Sequence, residues 1–599
     1  MTTITPLHSI DGRWLYFAFI AGGKKILEQQ KYLNKINVFP VNDGDTGSNM
    51  AVTIWSAIDS TRPEKSFSLT ANRIAETAIV NARGNSGIIF AQFLFGISKE
   101  SAAYESLTIP QFAECIKNSV PYMYEAVAKP VEGTMLTVIR EWAEFIYVQR
   151  EIITDFQQLF IRSREVIAIS LSDTKEKLLV LAKANVFDAG ANSFVFFMEG
   201  ITELISSNSI LSLLRSKPEP ILLPINNEHI SEEVNFRYCT EGILRNLTID
   251  QKRLSEIVQH YGDSVVIGGN ESVKHIHVHT NNPAQLFHQL KDNSLITFQK
   301  ADDMVRQSEV LFNRKWKIAL VTDSTCDLPQ ELIDRYQITM LPLNINFGER
   351  HYLDKITIQT DQFYTLLNQY PEFPKTSQIN EKTFINLYAQ LAAQYNSIIA
   401  IHLTDAFSGT FFSSQKAAQS TSKEFNKPIS VLNSKSLSGS LGLIVLRVAQ
   451  AIEEGLSHEE ITLEAQKWIS DTSIFVSVKT LKYMIRGGRV SHIKGFIANL
   501  LNVNPIVSMD KDGNSVVFGN SFSQKSNMKK VMEHIYTICK DREIWNYIVL
   551  HAQNEVAAEW YTQKMKEFTG KMPVGIVNIS PVIGSNAGIG AVSVALMLN

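Results

Sequence analysis

Cysteine is scarce in this chain: Cys115, Cys239, Cys326 and Cys539 are the only four in 599 residues, far apart and with no C-x-x-C pair. That spacing excludes a disulfide framework and fits a reducing compartment. Charge of one sign is also missing. A net charge of -3 gives no basic excess to neutralise phosphates, which argues against a protein that coats nucleic acid. No run of about 18 uninterrupted apolar residues occurs, so no transmembrane helix is expected. The first residues, Met1 to Arg13, carry neither the basic start nor the apolar core of a signal peptide. A cytoplasmic protein is the expectation.

Present instead is the composition of a folded chain, 45% hydrophobic and 20% charged, at a length that calls for several domains. From Trp14 to about Arg215 apolar residues recur every three or four positions, for example over Phe67 to Phe95 and Glu176 to Ser206, which predicts an all-helical first domain, residues 1–214. Ser216-Lys-Pro-Glu-Pro-Ile-Leu-Leu-Pro224 holds three prolines in nine residues and reads as a linker. Residues 225–313 then alternate short β-like runs, Ser264 to Ile267 and His275 to His279, with a helical segment near Thr248 to Tyr261, a small α+β module. From 315 to 599 apolar strands such as Lys317 to Thr322 and Ser397 to His402 alternate with amphipathic helices such as Ser457 to Ser470. Layered α/β structure with mostly parallel sheet is expected there.

Three glycine-containing segments of the first domain carry chemistry. Asn37-Val-Phe-Pro-Val-Asn-Asp-Gly-Asp-Thr-Gly-Ser-Asn-Met50 sets Asp43 and Asp45 on either side of a glycine, oxygen ligands held close together as Mg²⁺ requires. A helix-capping Asp-Gly turn is the plain alternative. Asn81-Ala-Arg-Gly-Asn-Ser-Gly-Ile-Ile89 opens an apolar helix whose free N–H groups favour a phosphate, and Pro130-Val-Glu-Gly-Thr-Met-Leu136 is suited to line a nucleotide.

In this order and spacing the three segments resemble the DhaL family, the ATP-binding half of dihydroxyacetone kinases and of the kinase subunit of bacterial fatty-acid kinase, with wording nearer the latter. The resemblance covers roughly residues 10 to 205. It implies an antiparallel helical barrel with ATP at one end, Mg²⁺ on Asp43, Asp45 and Asn37, and ATP contacts from Thr46, Ser48, Asn49, Ser86, Gly87, Thr134 and Met135. Where the family has V-D-A-G-G-x-G, this chain has Phe187-Asp-Ala-Gly-Ala-Asn-Ser193, a loss of two glycines that would narrow the nucleotide loop.

In the middle module His277 and His279 alternate on one face of a strand, and Cys239 lies in Arg237-Tyr-Cys-Thr-Glu-Gly242. From these residues alone, strand histidines with a buried cysteine compete with a Zn²⁺ set. Y-C-T-E and H-V-H-T-N-N-P resemble the middle domain of the fatty-acid-kinase subunit, which implies zinc on Cys239, His277 and His279.

The last domain opens with Ile318-Ala-Leu-Val-Thr-Asp-Ser-Thr-Cys-Asp-Leu328, a strand running into a polar turn where Asp323 and Ser324 either face a ligand or cap the next helix. Pro374-Lys-Thr-Ser-Gln378, Phe407-Ser-Gly-Thr410, Arg486-Gly-Gly-Arg-Val-Ser491 and Gly584-Ser-Asn-Ala-Gly-Ile-Gly590 follow, small hydroxylated loops suited to an anionic head group. Together they resemble the DegV family over residues 316 to 599. That implies a fatty acid with its chain in an apolar tunnel, its carboxylate on Thr376 and Ser408 with support from Arg486, and Arg489 facing the kinase domain. Asn586 stands where the family often has a histidine; an amide donates a hydrogen bond but carries no positive charge.

The fold expected is thus a DhaL-like helical barrel, a small α+β module and a DegV-like two-subdomain α/β fold. The activity the resemblances imply is phosphoryl transfer from ATP to a carrier-bound fatty acid, giving an acyl phosphate for phospholipid synthesis. A downstream acyltransferase would be its partner, and kinase and carrier would pair within one chain or across a homodimer. A non-catalytic lipid and nucleotide sensor, or a kinase of a small dihydroxyacetone-like substrate, are the competing readings.

Overall fold

The computed structural model describes residues 6–39, 44–207, 234–370, 372–489 and 504–599. The proline-rich stretch 216–224 and Asp43 lie outside them. Two compact bodies emerge, one of residues 1–282 with 289–311, the other of 283–288 with 312–599.

The first body begins with helices α1 (Gly12–Lys35), α2 (Thr46–Asp59), α3 (Phe67–Asn81), α4 (Gly84–Glu100), α5 (Ile109–Ala126), α6 (Met135–Gln149), α7 (Phe156–Lys177), α8 (Leu179–Ala184) and α9 (Ala189–Ser207). α1 packs on α9 and α2, α4 on α5, and α6 on α7. The two long segments expected to be helical are each interrupted. Ala82 and Arg83 are extended between α3 and α4, and Asn185, in the left-handed region with φ 52°, ends α8 before α9 starts. Periodicity survives such a break when both pieces bury the same face, so the pattern alone hides it. A short pair not foreseen, β1 (Ser9–Asp11) with β2 (Ser106–Thr108), is antiparallel.

The middle module is a four-stranded sheet in the order β4 (Gly262–Gly269), β5 (Val273–Thr280), β3 (Tyr238–Arg245), β6 (Leu295–Asp303), all neighbours antiparallel. Its Ile243, Val266, Val273 and Phe298 join the apolar core formed by the helices, which is why module and helical domain form one body. Burial of a shared core gives more than either part could gain alone.

The second body holds a parallel sheet, β13 (Ile429–Asn433), β12 (Ser397–His402), β7 (Ile318–Asp323), β8 (Thr339–Leu341). A six-stranded sheet follows in the order β16 (Ser515–Ser521), β15 (Asn504–Met509), β14 (Thr472–Ser477), β19 (Val592–Leu598), β17 (Ile544–His551), β18 (Ile576–Asn578). Here the expectation of mostly parallel sheet needs correction: every pair in this second sheet is antiparallel except β17 with β18. The C-terminal strand β19 inserts between β14 and β17, a placement that local alternation of strand and helix does not encode. A three-stranded sheet, β10 (Arg350–Leu353), β9 (Asn344–Phe347), β11 (Lys375–Ser377), completes the body.

Asp323 and Ser324, at the end of β7, are neither exposed caps nor cavity residues. Asp323 is fully buried and accepts hydrogen bonds from Leu403 N and Thr325 N, with His402 Nδ1 at 3.1 Å; Ser324 Oγ donates to Asp354 at 2.6 Å. Among the described residues no helix is long and apolar enough to cross a membrane.

Candidate functional site

Antiparallel register explains how the middle module gathers its polar side chains. Residues directly opposite one another project to the same face, as do every second residue along a strand. Cys239 faces His279 and Asp302, and Glu241 faces His277 and Lys300, while Ile243 faces His275; Asp263 lies opposite His279 across β4 and β5. One face therefore carries three histidines, a thiol, three carboxylates and a lysine. It meets the junction of α3 and α4: His275 Nδ1 lies 3.0 Å from Ile79 O, and Gly84 N donates to Glu241 Oε1 at 2.7 Å.

The ligand atoms of Cys239, His277 and His279 all lie within 4.8 Å of one another and the three residues are buried. His277 Nε2 and His279 Nε2 are 3.3 Å apart. Two nitrogens bound to a tetrahedral Zn²⁺ at about 2.0–2.1 Å would be roughly 3.3 Å apart, so the donor set fits that ion. Burial, and then the neighbouring His277, push the His279 pKa down to about 3, leaving a neutral imidazole with a free lone pair. Burial pushes the Cys239 thiol well up, opposed by Lys300 and reinforced by Glu241, Asp302 and Asp45; a bound metal would instead hold it as thiolate.

Asp45 thus reaches the module. It precedes α2, and its charge acts on both Cys239 and Lys300. The charge of the candidate Mg²⁺ ligand is therefore felt at the face that carries the Cys-His-His cluster, although nearly 200 residues separate Asp45 from Cys239 in the chain. Asn37 is buried and accepts a hydrogen bond from Thr46 Oγ1. Ser48 Oγ accepts from Gln30 Nε2 and Asn34 Nδ2 at 2.8 and 2.9 Å, so α1 fixes it. Asn49 lies against Gly84, whose φ is +61° and where a Cβ would meet Asn49 Nδ2 at 2.5 Å.

A cavity of about 320 Å³ adjoins these residues, lined by Ser86, Thr134, Met135, Asn85, Phe39 and Asp188 on the helical side and by Gln259, Asp263, Ser264 and Val266 on the module side. It far exceeds the roughly 10–15 Å³ that one water needs. Ser86, Thr134 and Met135 are thereby brought together. Thr46, Ser48, Asn49 and Gly87 stay outside its lining; Gly87 packs so tightly on Thr53 that a Cβ would meet its Oγ1 at 2.5 Å. The module closes the wall by pairing: Ala128 N donates to Val265 O at 3.1 Å.

Asp188, not among the residues the sequence singled out, lines this cavity and caps two helices. Its carboxylate accepts from Ala191 N at 2.6 Å and from the backbone of Met135 at the start of α6. Burial pushes its pKa up to about 6 against those two amides. Ala191 and Ser193, where glycines were expected, are fully buried in the first turn of α9, with Ser193 Oγ bonded to Gly190 O at 2.6 Å. Neither lines the cavity.

In the second body an apolar cavity of about 100 Å³ runs past Leu343, Leu403, Phe407, Ile474, Val476, Val507, Leu550, Val582 and Ile583. Thr376, Gln378, Ser408, Arg489 and Asn586 supply polar groups to its lining. Ser408 Oγ contacts Thr410 Oγ1 at 2.9 Å. The arginines stand the other way round from expectation: Arg489 lines the cavity, whereas Arg486 is exposed, its guanidinium 6.0 Å over the Phe373 ring. Gly488, at φ +74°, reverses the chain between them, a turn open to glycine at no steric cost. Asn586 spends its amide N–H on Val582 O and Ser585 Oγ, and its buried Oδ1 has no partner; to donate to a carboxylate the amide must turn over. Asp327 and Asp354 hold this wall in place by accepting from Ser580 N and Val582 N at 3.1 and 3.2 Å.

Family models match three consecutive stretches: the DAK2 domain at residues 40–203, the FakA-like middle domain of fatty acid kinase at 235–311 and the DegV family at 317–599. An uncharacterised protein of Staphylococcus saprophyticus is 30% identical over 312 residues, 50% of this chain and 56% of that protein; the chain spans little more than half of that relative's length. A DegV domain-containing protein of Staphylococcus aureus is 31% identical over 284 residues, 47% of this chain and 99% of that protein. A fatty-acid-binding DegV family protein of Thermus thermophilus, 28% identical, superposes with a TM-score of 0.44, covering 47% of this chain and all of that one. The chain belongs to the DegV family through residues 317–599, which follow a DAK2 domain and a FakA-like middle domain in the same polypeptide.

Proposed function

We propose that this chain is a fatty-acid kinase that carries its own lipid carrier, transferring the γ-phosphate of ATP to a bound fatty acid. The observation that carries this reading is the cavity where Ser86, Thr134 and Met135 converge, within a chain that also encloses an apolar cavity with hydroxyl and arginine groups in its lining. A fatty-acid carboxylate is ionised at neutral pH and needs no base. One of its oxygens attacks Pγ, the bond from Pγ to the bridging oxygen of ADP breaks, and ADP leaves with the electron pair. Catalysis is then positioning and charge neutralisation. Mg²⁺, when bound, neutralises phosphate charge, with Asp43, Asp45 and Asn37 as its proposed ligands. Ser86 and Thr134 orient the nucleotide, and Lys300, set beside Asp302 at 2.5 Å, is a cation whose field reaches Asp45.

Zinc on Cys239, His277 and His279 has a positioning role in this scheme. Thr376, Ser408 and Arg489 hold the lipid carboxylate, and the acyl chain occupies the apolar lining. The acyl phosphate would pass to an acyltransferase of phospholipid synthesis. Joining carrier and kinase in one chain replaces a bimolecular encounter by a tether, at an effective concentration of order millimolar.

ATP consumption measured with fatty acid, with dihydroxyacetone and with neither tests the proposal. Turnover is expected only with fatty acid, and Asp45→Ala is expected to abolish it while leaving lipid binding intact. Wild-type protein that binds no fatty acid by mass spectrometry would overturn it.

A further inference from the structure

We propose that Glu241 couples the Cys239, His277 and His279 metal site to the nucleotide cavity, so that each ligand binds more tightly when the other is present; this rests on the metal and nucleotide readings above. Glu241 is 1% exposed. Its Oε1 accepts from Gly84 N, the first residue of α4 and two residues before Ser86 of the nucleotide wall, and stands 3.7 Å from His277 Nδ1. Its Oε2 lies 3.8 Å from His275 Nε2 and 3.6 Å from Arg83 Nη1. Oε2, His275 Nε2 and His277 Nδ1 are three buried polar atoms with no hydrogen-bond partner.

Tautomer chemistry explains that unpaired cluster. His275 Nδ1 faces the carbonyl of Ile79, so its proton belongs there and its Nε2 offers Glu241 only a lone pair. Of the two imidazoles only His277 can then donate to the carboxylate, its Nδ1 standing nearest Oε1, while Arg83 Nη1 faces Oε2. Without metal, the contact between His277 Nε2 and His279 Nε2 at 3.3 Å requires a proton on one of these two nitrogens. If His277 holds it there, its Nδ1 turns a lone pair on the carboxylate. A metal taking both Nε2 lone pairs forces both protons to Nδ1, and His277 then donates to Glu241 while His279 donates toward Asp263, 3.7 Å away. Metal-bound histidines are commonly backed by carboxylates in this way. What is particular here is where these carboxylates lead: Glu241 fixes the start of α4, and Asp263 itself lines the nucleotide cavity.

The test uses the full chain. Affinity for MgADP is measured by calorimetry on protein whose zinc content has been established by elemental analysis, and again after chelation and restoration of Mg²⁺. Stripping zinc is expected to weaken MgADP binding by roughly 5- to 150-fold, the usual span of a coupling between two sites, and saturating MgADP should slow zinc loss to a chelator. In Glu241→Gln the amide oxygen can still accept from Gly84 N, but it carries no charge to draw the His277 proton to Nδ1, and the NH₂ standing in place of Oε2 turns a donor toward Arg83. Zinc affinity should fall about 10- to 100-fold, and MgADP affinity should no longer depend on zinc. Glu241→Gln that keeps the wild-type ratio overturns the proposal. So does zinc-bearing wild type whose MgADP affinity is unmoved by stripping, a measurement that decides the matter even if the variant does not fold. Wild type that holds no zinc at all overturns the metal reading first, and elemental analysis tells that failure apart.

Discussion

Replacing Asp188 by Asn removes a charge that the fold disfavours but leaves an acceptor oxygen where the helices need one. Asp188 is buried, and its pKa stands at about 6 rather than 3.8. At 1.36 kcal/mol per pK unit, that difference amounts to about 3 kcal/mol. The sign follows from linkage. The unfolded chain loses this proton near the ordinary carboxylate pKa and the folded one only near 6. The associated stability is therefore fully present below about pH 4 and is lost as pH rises through 6. Asn cannot titrate, so the stability of Asp188→Asn should lack this decline. Its offset from wild type is set by the Met135 amide, which one carboxamide oxygen serves less well than two carboxylate oxygens. Differential scanning calorimetry of the full chain from pH 4 to 8 reads the effect. At about 2–4 °C per kcal/mol, the gap between wild type and variant should change by roughly 6–12 °C across that range. Only the transition of the first body should move, the other serving as internal reference. Parallel wild-type and Asp188→Asn curves over the whole range would refute the reasoning, because they would mean that burial does not shift this carboxyl.

Asp354, also buried, has its pKa raised to about 7 mainly by burial. By the same sign, Asp354→Asn should flatten the loss of second-body stability between about pH 4 and 7 in the same scans. Arg489→Ala should weaken fatty-acid binding by about 1.5–3 kcal/mol, the usual worth of a hydrogen bond to a charged group, whereas Arg486→Ala should leave calorimetric affinity unchanged; the opposite pattern would return the expected assignment. Gly84→Ala combines a left-handed φ with a clash on Asn49 and should destabilise the first body by at least about 1–2 kcal/mol, read as a lowered unfolding temperature. Elemental analysis should find one zinc per chain, lost in Cys239→Ser plus His277→Ala.

Much of this is legible in the sequence where a local period or a turn residue determines the outcome. Ser397 to His402 forms a strand over the residues anticipated, and Ser457 caps the helix that follows it by accepting from Glu460 N. The alternation of His275, His277 and His279 is itself the statement that they share a face. What stays hidden depends on register between distant segments. Glu241, Lys300 and Asp263 are ordinary strand residues until pairing sets them beside the histidines. Order along the chain cannot assign the two arginines of Arg-Gly-Gly-Arg, because the left-handed Gly488 decides which of them turns inward. The direction of β19 depends on the whole second sheet, and the carboxylate of Asp188 gains its meaning only once its helices are placed.

The proposed metal ligands, Glu241 and one wall of the proposed nucleotide cavity all hang on the ladder that joins β5 to β3 and β4, with Cys239 opposite His279 and Glu241 opposite His277. Side chains alternate with a period of two. A single codon inserted or deleted inside β5 would therefore turn every imidazole on one side of the change to the sheet's other face in one event and strand the carboxylates that back them. Point substitutions can tune this module one residue at a time, whereas length changes within its strands cannot; a change of length leaves the ladder intact only in the connections, such as Asn246 to Asp250 between β3 and the helix Gln251–Tyr261.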